Sequence, residues 1–167
     1  MNSWVLNIQW MVVLILFQVL VLESVHIEGY ATPFLYIYFI LKFHSSASRN
    51  TLMLWAFALG MIVDIFSNTP GVNAAASTAL AFVRTPMLHL VTLRDVTDDF
   101  QPGVATLGIS PFFRYTVFTA LFFSTVYLLV DSFSVLHFGS FLLKILTDTI
   151  ATVICVWCVE MIRRKDK

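Results

Sequence analysis

Charged side chains inside the apolar segments of this 167-residue chain are its first candidates for chemistry. Four of them stand well inside such segments: Asp64, Arg84, Lys144 and Asp148. Glu160 lies close enough to the end of its segment to reach the interface. A charge at the centre of a bilayer costs about 2.5–3.5 kcal/mol even on the mildest insertion scales. We therefore expect the four residues to face the interior of a helix bundle and to pair.

Two pairs of opposite charge fall at comparable depths, because an α-helix rises about 1.5 Å per residue. Asp64 matches Lys144, and Arg84 matches Asp148. Lys144 and Asp148 can also pair locally, since residues four apart share a helix face. One interpretation is a proton or ion relay. The other is a set of buried ion pairs that fix the register of the helices, and the balanced signs favour it.

Other groups of reactive side chains are incomplete. Cys155 and Cys158 form a C-x-x-C, but a structural zinc site needs four ligands. We interpret the two cysteines as small apolar residues that pack within a helix. The serines beside His44 lack the orienting group and oxyanion hole of a nucleophilic site. No known catalytic or phosphate-binding motif occurs. We therefore expect no catalytic residue, no metal site and no cofactor.

The composition is that of an integral membrane protein. Hydrophobic residues make up 59% of the chain and charged residues 12%, whereas a soluble domain has about 25% charged residues. The formal net charge is zero, so the basic patch that nucleic-acid binding needs is missing. The first apolar run follows no Lys or Arg and precedes no small-x-small cleavage pattern, so we expect it to remain as a helix.

Six apolar segments predict six transmembrane helices in a single membrane domain over residues 1–167. A spanning helix needs about 20 residues, and the second segment is short, so a re-entrant segment is the alternative there. Pro86 is expected to kink the fourth helix. The predicted helices cover residues 5–22, 27–43, 51–66, 72–91, 112–130 and 139–162.

The basic residues predict the orientation. The connections at one end of the predicted helices and the C-terminal tail hold seven of the ten Lys and Arg residues, and Arg114, just inside the fifth predicted helix, makes eight on that side. The connections at the other end hold none. Because cytoplasmic loops carry the excess of basic residues, we expect both termini to lie in the cytoplasm.

The third and fourth predicted helices are expected to form a tight hairpin. Small residues at Ala56 and Gly60, and again at Ala75 and Ala79, are four apart. Such spacing lets helix backbones approach closely in a membrane. In the connection, Pro70 suits the second position of a type II turn and Gly71 suits the third, where φ must be positive.

This region also contains a sequence pattern that is shared with a known protein family. Residues 55–76 read WAFALGMIVDIFSNTPGVNAAA, and Phe82-Val83-Arg84 follows shortly after. The pattern G…D.F…PG.NA resembles the MreD family of rod shape-determining proteins. The length, the six apolar runs and the short basic tail agree with that family over the whole chain, and the second half agrees by hydropathy.

The resemblance implies a non-catalytic, multi-pass subunit of the cell-elongation machinery in the bacterial cytoplasmic (inner) membrane. Its implied partners are a membrane-anchored MreC-type protein, an MreB-type filament, and a RodA-type glycosyltransferase with its transpeptidase. The implied fold is an all-α bundle of six transmembrane helices, similar to the substrate-binding subunits of energy-coupling-factor transporters. The connection over residues 92–111 is a candidate for cytoplasmic contacts.

The alternative function is a small membrane transport or ligand-binding subunit with an outward-facing pocket. That pocket would lie near Asp64, Asn68 and Lys144, and Asn73 and Ser140 would add polar groups to it. Because few polar side chains would converge on such a pocket, we favour the interaction subunit over this alternative. The candidate structural or interaction residues are Asp64, Asn68, Pro70, Gly71, Asn73, Arg84, Lys144 and Asp148.

Overall fold

The computed structural model describes residues 3–18, 32–91, 100–131 and 138–165, and its regular secondary structure in these ranges is entirely helical. The helices are α1 (Ser3–Phe17), α2 (Ile37–Lys42), α3 (Arg49–Ser67), α4 (Val72–Val91), α5 (Val104–Leu107), α6 (Ile109–Asp131) and α7 (Phe138–Lys165).

Four helices within the described ranges are long and apolar enough to cross a membrane. They are α3, α4, α6 and the Gly139–Arg163 stretch of α7. The all-helical membrane protein expected from the composition is therefore confirmed for the described residues. α4 has the bounds expected from the sequence, and the bounds of α3, α6 and α7 lie within three residues of expectation. α1 covers the first part of the first predicted helix, and residues 19–22 lie outside the described ranges.

The second predicted helix, over residues 27–43, differs from the structure. Only Ile37–Lys42 is helical, residues 32–36 are not, and residues 27–31 lie outside the described ranges. The non-helical backbone is buried, and polar side chains of other elements accept its N–H groups. Asp148 accepts from Thr32 at 2.8 Å, and Gln18 accepts from Leu35 at 2.8 Å. Non-helical backbone persists in a membrane protein where other protein groups satisfy it, so a continuous helix was the wrong prediction here.

This segment forms the centre of the bundle. All residues from Pro33 to Leu41 are buried. The Phe34 ring lies 4.9 Å from the ring of Phe123 and 4.6 Å from that of Tyr127, both on α6. α2 also contacts α1 and α4. The chain is therefore organised around a short unwound segment, with longer helices packed around it.

The α3–α4 hairpin has the close packing that its small residues predict. A Cβ atom added to Gly60 would lie 2.5 Å from Ala74 Cα and 2.6 Å from the Asn73 carbonyl oxygen. Real side chains do not approach that closely, so only glycine fits there. In the turn, Val72 N–H donates to Thr69 O at 3.4 Å and Gly71 has a φ of 82°. Both features are those of the predicted type II turn.

Candidate functional site

Asp64 is the centre of a buried cluster at the hairpin end of the bundle. Its Oδ1 accepts hydrogen bonds from Asn73 N–H at 2.9 Å, from the Asn73 side-chain amide at 3.0 Å and from Thr69 Oγ1 at 2.9 Å. Its Oδ2 accepts from Ala74 N–H at 2.9 Å. The first N–H groups of a helix have no partner within that helix, and a negative charge is favourable there. Asp64 on α3 therefore caps the start of α4.

Asn73 extends this cluster to the unwound segment. The hydroxyl of Tyr36, which has no exposed surface, donates to Asn73 Oδ1 at 2.7 Å. The Asn73 amide also donates to Thr69 Oγ1 at 3.0 Å. We call Tyr36, Asp64, Thr69, Asn73 and Ala74 the hairpin cluster. It ties α3, α4 and the segment before α2 into one hydrogen-bonded unit.

Three of the predicted residues shape the turn from the outside. Asn68 is exposed and follows the end of α3, and its backbone adopts the left-handed conformation with a φ of 54°. Pro70 and Gly71 are also exposed. These residues set the path of the chain between Asp64 and Asn73, and the backbone N–H of Asn68 donates to the carbonyl oxygen of Asp64. A left-handed Asn at the end of a helix is a recognised cap, a role of Asn68 that the turn pattern at Pro70 and Gly71 did not predict.

Two predicted ion pairs are absent from the described residues. Asp64 bonds to the start of α4 and not to Lys144. Arg84 Nη2 donates to the carbonyl oxygens of Leu41 and Phe43, at the end of α2. The last carbonyl groups of a helix carry partial negative charge, so Arg84 finds acceptors without a carboxylate. Both pairings were wrong because backbone groups take the place of the expected partners, and Asp64 also accepts from the side chains of Asn73 and Thr69.

Asp148 holds the beginning of the unwound segment. It has no exposed surface, and its Oδ1 accepts the N–H of Thr32 at 2.8 Å. One turn further along α7, Thr152 Oγ1 accepts the N–H of Phe34 at 3.1 Å. Lys144, one turn earlier on α7, is half-buried, and no hydrogen bond joins it to Asp148, whose Oδ2 has no hydrogen-bond partner among the described residues. α7 thus positions the segment through side chains on one of its faces.

Glu160 was expected at the interface and is instead buried, with 5% of its surface exposed. Its Oε2 accepts from the Tyr38 hydroxyl at 2.6 Å and lies 3.0 Å from Lys42 Nζ. Its Oε1 accepts from Lys42 at 3.0 Å and from Val104 N–H at 2.9 Å. We call Tyr38, Lys42, Val104 and Glu160 the Glu160 cluster.

The Glu160 cluster fixes part of the connection between α4 and α6. Val104 opens the short helix α5, and its N–H reaches Glu160 directly. Just before it, Phe100 N–H donates to Ser45 Oγ at 3.1 Å, and Ser45 N–H donates back to Phe100 O at 3.0 Å. A depth comparison of Glu160 with Lys42 would have found this pair from the sequence, since both lie near the same end of their segments.

Removal of the Glu160 carboxylate should destabilise the bundle strongly. A broken buried ion pair costs about 3–5 kcal/mol, mostly because the remaining charge stays buried. We expect Glu160→Ala to lower the midpoint of thermal unfolding in detergent, and a second change, Lys42→Met, to recover part of the loss. If the double variant unfolds as early as the single variant, the uncompensated Lys42 charge is not the cause.

Two small polar cavities accompany the two clusters. One, of about 120 Å³, lies beside the hairpin cluster; its polar lining residues are Gln18, Thr32, Tyr36, Ser67, Thr69, Asn73 and Tyr127. Of the residues named for the alternative pocket, Asn73 lines this cavity, whereas Asp64, Asn68, Lys144 and Ser140 are not among its lining residues. The other, of about 110 Å³, lies beside the Glu160 cluster. Each has room for several water-sized groups, given about 10–15 Å³ for one water.

No metal centre is formed by the described residues, in which three or more His, Cys, Asp or Glu side chains nowhere converge. The fold and the two clusters define a helical multi-pass membrane protein whose buried charges hold its own backbone in place. No family model, curated protein or solved structure matches the chain.

Proposed function

We propose that the chain is a non-catalytic integral membrane subunit of the bacterial cell-elongation machinery. In this role it helps to couple an MreC-type protein, an MreB-type filament, and a RodA-type glycosyltransferase with its transpeptidase. The observation that carries the proposal is the hairpin: Gly60, Asp64, Asn73 and Ala74, four residues of the MreD-like pattern, meet in one close contact.

The chemistry of the buried charges supports a scaffold. Both oxygens of Asp64 and both oxygens of Glu160 accept hydrogen bonds from the protein itself. A catalytic acid or base must keep an oxygen within reach of a substrate proton. These carboxylates bind the starts of helices and, for Glu160, the ammonium group of Lys42. Such internal contacts are suited to a rigid protein that binds its partners through its surface.

The proposed topology is six crossings with both termini in the cytoplasm, in the bacterial inner membrane. The unwound segment and α7 run in the same direction, because Thr32 meets Asp148 while Tyr38 meets Glu160 further along both. A crossing by the second segment therefore accords with an odd number of helix passages between it and α7, which α3, α4 and α6 would supply. The proposed fold is similar to that of energy-coupling-factor substrate-binding subunits.

Depletion in the bacterial host tests the elongation role. We expect rod-shaped cells to become round when the chain is depleted, and an affinity-tagged copy to co-purify an MreC-type protein from detergent. Re-expression of the wild-type chain should restore the rods. If depleted cells keep their ratio of length to width and no elongation protein co-purifies, the proposal is wrong.

The alternative, a small transport or ligand-binding subunit, is favoured by one observation: the cavity of about 120 Å³ beside the hairpin cluster has a polar lining. Ser67→Leu separates the two functions, since Ser67 lines that cavity outside the hairpin cluster. The elongation role predicts that this variant restores rod shape as well as the wild-type chain does. A variant that accumulates normally but fails to restore growth or shape would favour ligand binding.

A further inference from the structure

Asp148 accepts fewer hydrogen bonds than the other two buried carboxyl groups of the described residues. Asp64 accepts four hydrogen bonds, and both oxygens of Glu160 accept from protein groups. Asp148 has no exposed surface, yet only its Oδ1 is bound, by the N–H of Thr32 at 2.8 Å. Its Oδ2 is buried and, in the described part of the chain, has no hydrogen-bond partner. One oxygen of this carboxyl group is therefore left without a donor.

The polar side chains next to Asp148 do not compensate a negative charge on it. Thr149 follows it on α7, and Thr32 supplies the N–H that binds Oδ1. The Oγ1 atoms of both threonines are buried and, within the described ranges, have no hydrogen-bond partner. Lys144 lies one turn earlier on α7 and is half-buried. Since Oδ2 has no partner among the described residues, Lys144 is not bonded to it.

The position of Asp148 makes its ionised form unfavourable. It lies inside the apolar stretch Gly139–Arg163 of α7, more than two helical turns from either end. A carboxylate that is removed from water without full pairing takes up a proton, because the charged form is costly there. A neutral carboxyl group has one O–H donor and keeps a carbonyl acceptor. The carbonyl oxygen suits the N–H of Thr32, and a proton on Oδ2 removes the unpaired charge.

Thr32 connects Asp148 to the cavity of about 120 Å³ beside the hairpin cluster, because Thr32 also lines that cavity. The titratable side chains among the lining residues are Tyr36 and Tyr127, and a phenol is neutral at neutral pH. The cavity has room for several waters and lies at the hairpin end of the bundle. It therefore offers a proton a polar route to Asp148 from that end.

We propose that Asp148 is a proton-binding site at the centre of the bundle. The folded protein holds a proton on Oδ2, while Oδ1 accepts the N–H of Thr32. A sodium ion suits this position less well, because Lys144 places a positive charge one turn away and no cluster of three or more metal-ligating side chains forms among the described residues. The proposal does not depend on a role in cell elongation.

Infrared spectroscopy of the full-length protein in detergent tests the proposal. A protonated carboxyl group has a C=O stretching band that a carboxylate lacks. We expect the wild-type protein to show this band at neutral pH, the Asp148→Asn variant to lose it, and the Asp64→Asn variant to keep it as the matched control. A wild-type spectrum without the band would overturn the proposal, and so would a band that persists in Asp148→Asn.

Thermal unfolding provides a second measurement. Asparagine resembles the neutral carboxyl group, because it has one carbonyl acceptor and a donor in place of the O–H. We therefore expect Asp148→Asn to shift the unfolding midpoint by less than about 3 °C, and Asp64→Asn to lower it by more than that. Equal losses in the two variants would contradict a neutral Asp148. If Asp148→Asn does not accumulate, Asp148→Glu replaces it in the infrared experiment, where an unshifted band would overturn the assignment.

Two rival states of Asp148 have their own tests. If an ion pair with Lys144 held the carboxylate, Lys144→Met would lower the midpoint as strongly as Glu160→Ala does; we expect a shift of less than about 3 °C. If sodium occupied the site, sodium chloride in place of choline chloride would raise the midpoint of the wild-type protein but not that of Asp148→Asn. We expect equal midpoints in the two salts, and a sodium-specific rise would overturn the proton assignment.

Discussion

Replacement of Asp64 by alanine should unfold the hairpin end of the bundle. The change leaves the N–H groups of Asn73 and Ala74 and the Asn73 side-chain amide without their acceptor in a buried setting. Each buried donor left unsatisfied costs about 1–3 kcal/mol, so we expect a loss of about 3–5 kcal/mol in the free energy of unfolding. The measurement is the midpoint of thermal unfolding of the purified protein in detergent.

Asp131→Ala is the matched control for this experiment. Asp131 is an exposed carboxylate at the end of α6, so its removal should shift the midpoint little. Asp64→Asn should fall between the two, because the amide keeps one acceptor oxygen and turns a donor toward α4. Equal midpoints for Asp64→Ala and Asp131→Ala would contradict the capping role of Asp64.

Enlargement of Gly60 should separate α3 from α4. Even a Cβ atom would lie 2.5 Å from the backbone of Ala74, and backbone cannot move aside as the end of a flexible side chain can. Overpacking costs about 1–3 kcal/mol or more, and we expect Gly60→Leu to reach the upper part of that range. Protein accumulation in the membrane and the thermal midpoint in detergent both report the loss.

The control for Gly60 is a change of similar size on the same helix. Ala58 lies two residues earlier on an exposed face of α3, and Ala58→Leu should change the free energy of unfolding by less than about 0.5 kcal/mol. If both variants accumulate and unfold alike, the close approach of α3 and α4 does not limit stability. Because Gly60 is also part of the MreD-like pattern, the result bears on what that pattern encodes.

Local features of the fold could be predicted from the sequence. The long apolar stretches of α3, α4, α6 and α7 mark their own bounds, because a membrane helix satisfies its backbone within itself. The turn at Pro70 and Gly71 was predictable for the same reason: the requirement for positive φ concerns one residue and its neighbours. In each case the physical cause lies within a few residues of its effect.

The partners of the buried charges could not be found this way. Opposite charges at equal depth suggest ion pairs, yet Arg84 bonds to carbonyl groups that are free only because α2 ends there. Asp148 likewise accepts an N–H that is available only because residues 32–36 are unwound. The carbonyl groups that accept from Arg84 and the N–H group that donates to Asp148 belong to the backbone. Every residue carries such groups, so residue types alone do not show which of them are available. The location of non-helical backbone must be known before such partners can be assigned.

The unwound segment also has a consequence for the order of biosynthesis. Its hydrogen-bond partners on α7 lie 116 residues later for Thr32 and 118 residues later for Phe34. At a synthesis rate of about 5–20 residues per second, the ribosome reaches them roughly 6–24 s after the segment is made. Until then, two N–H groups at the centre of the future bundle have no acceptor from α7. The segment can therefore reach its final hydrogen bonding only after α7 has been made, so α7 completes the centre of the protein.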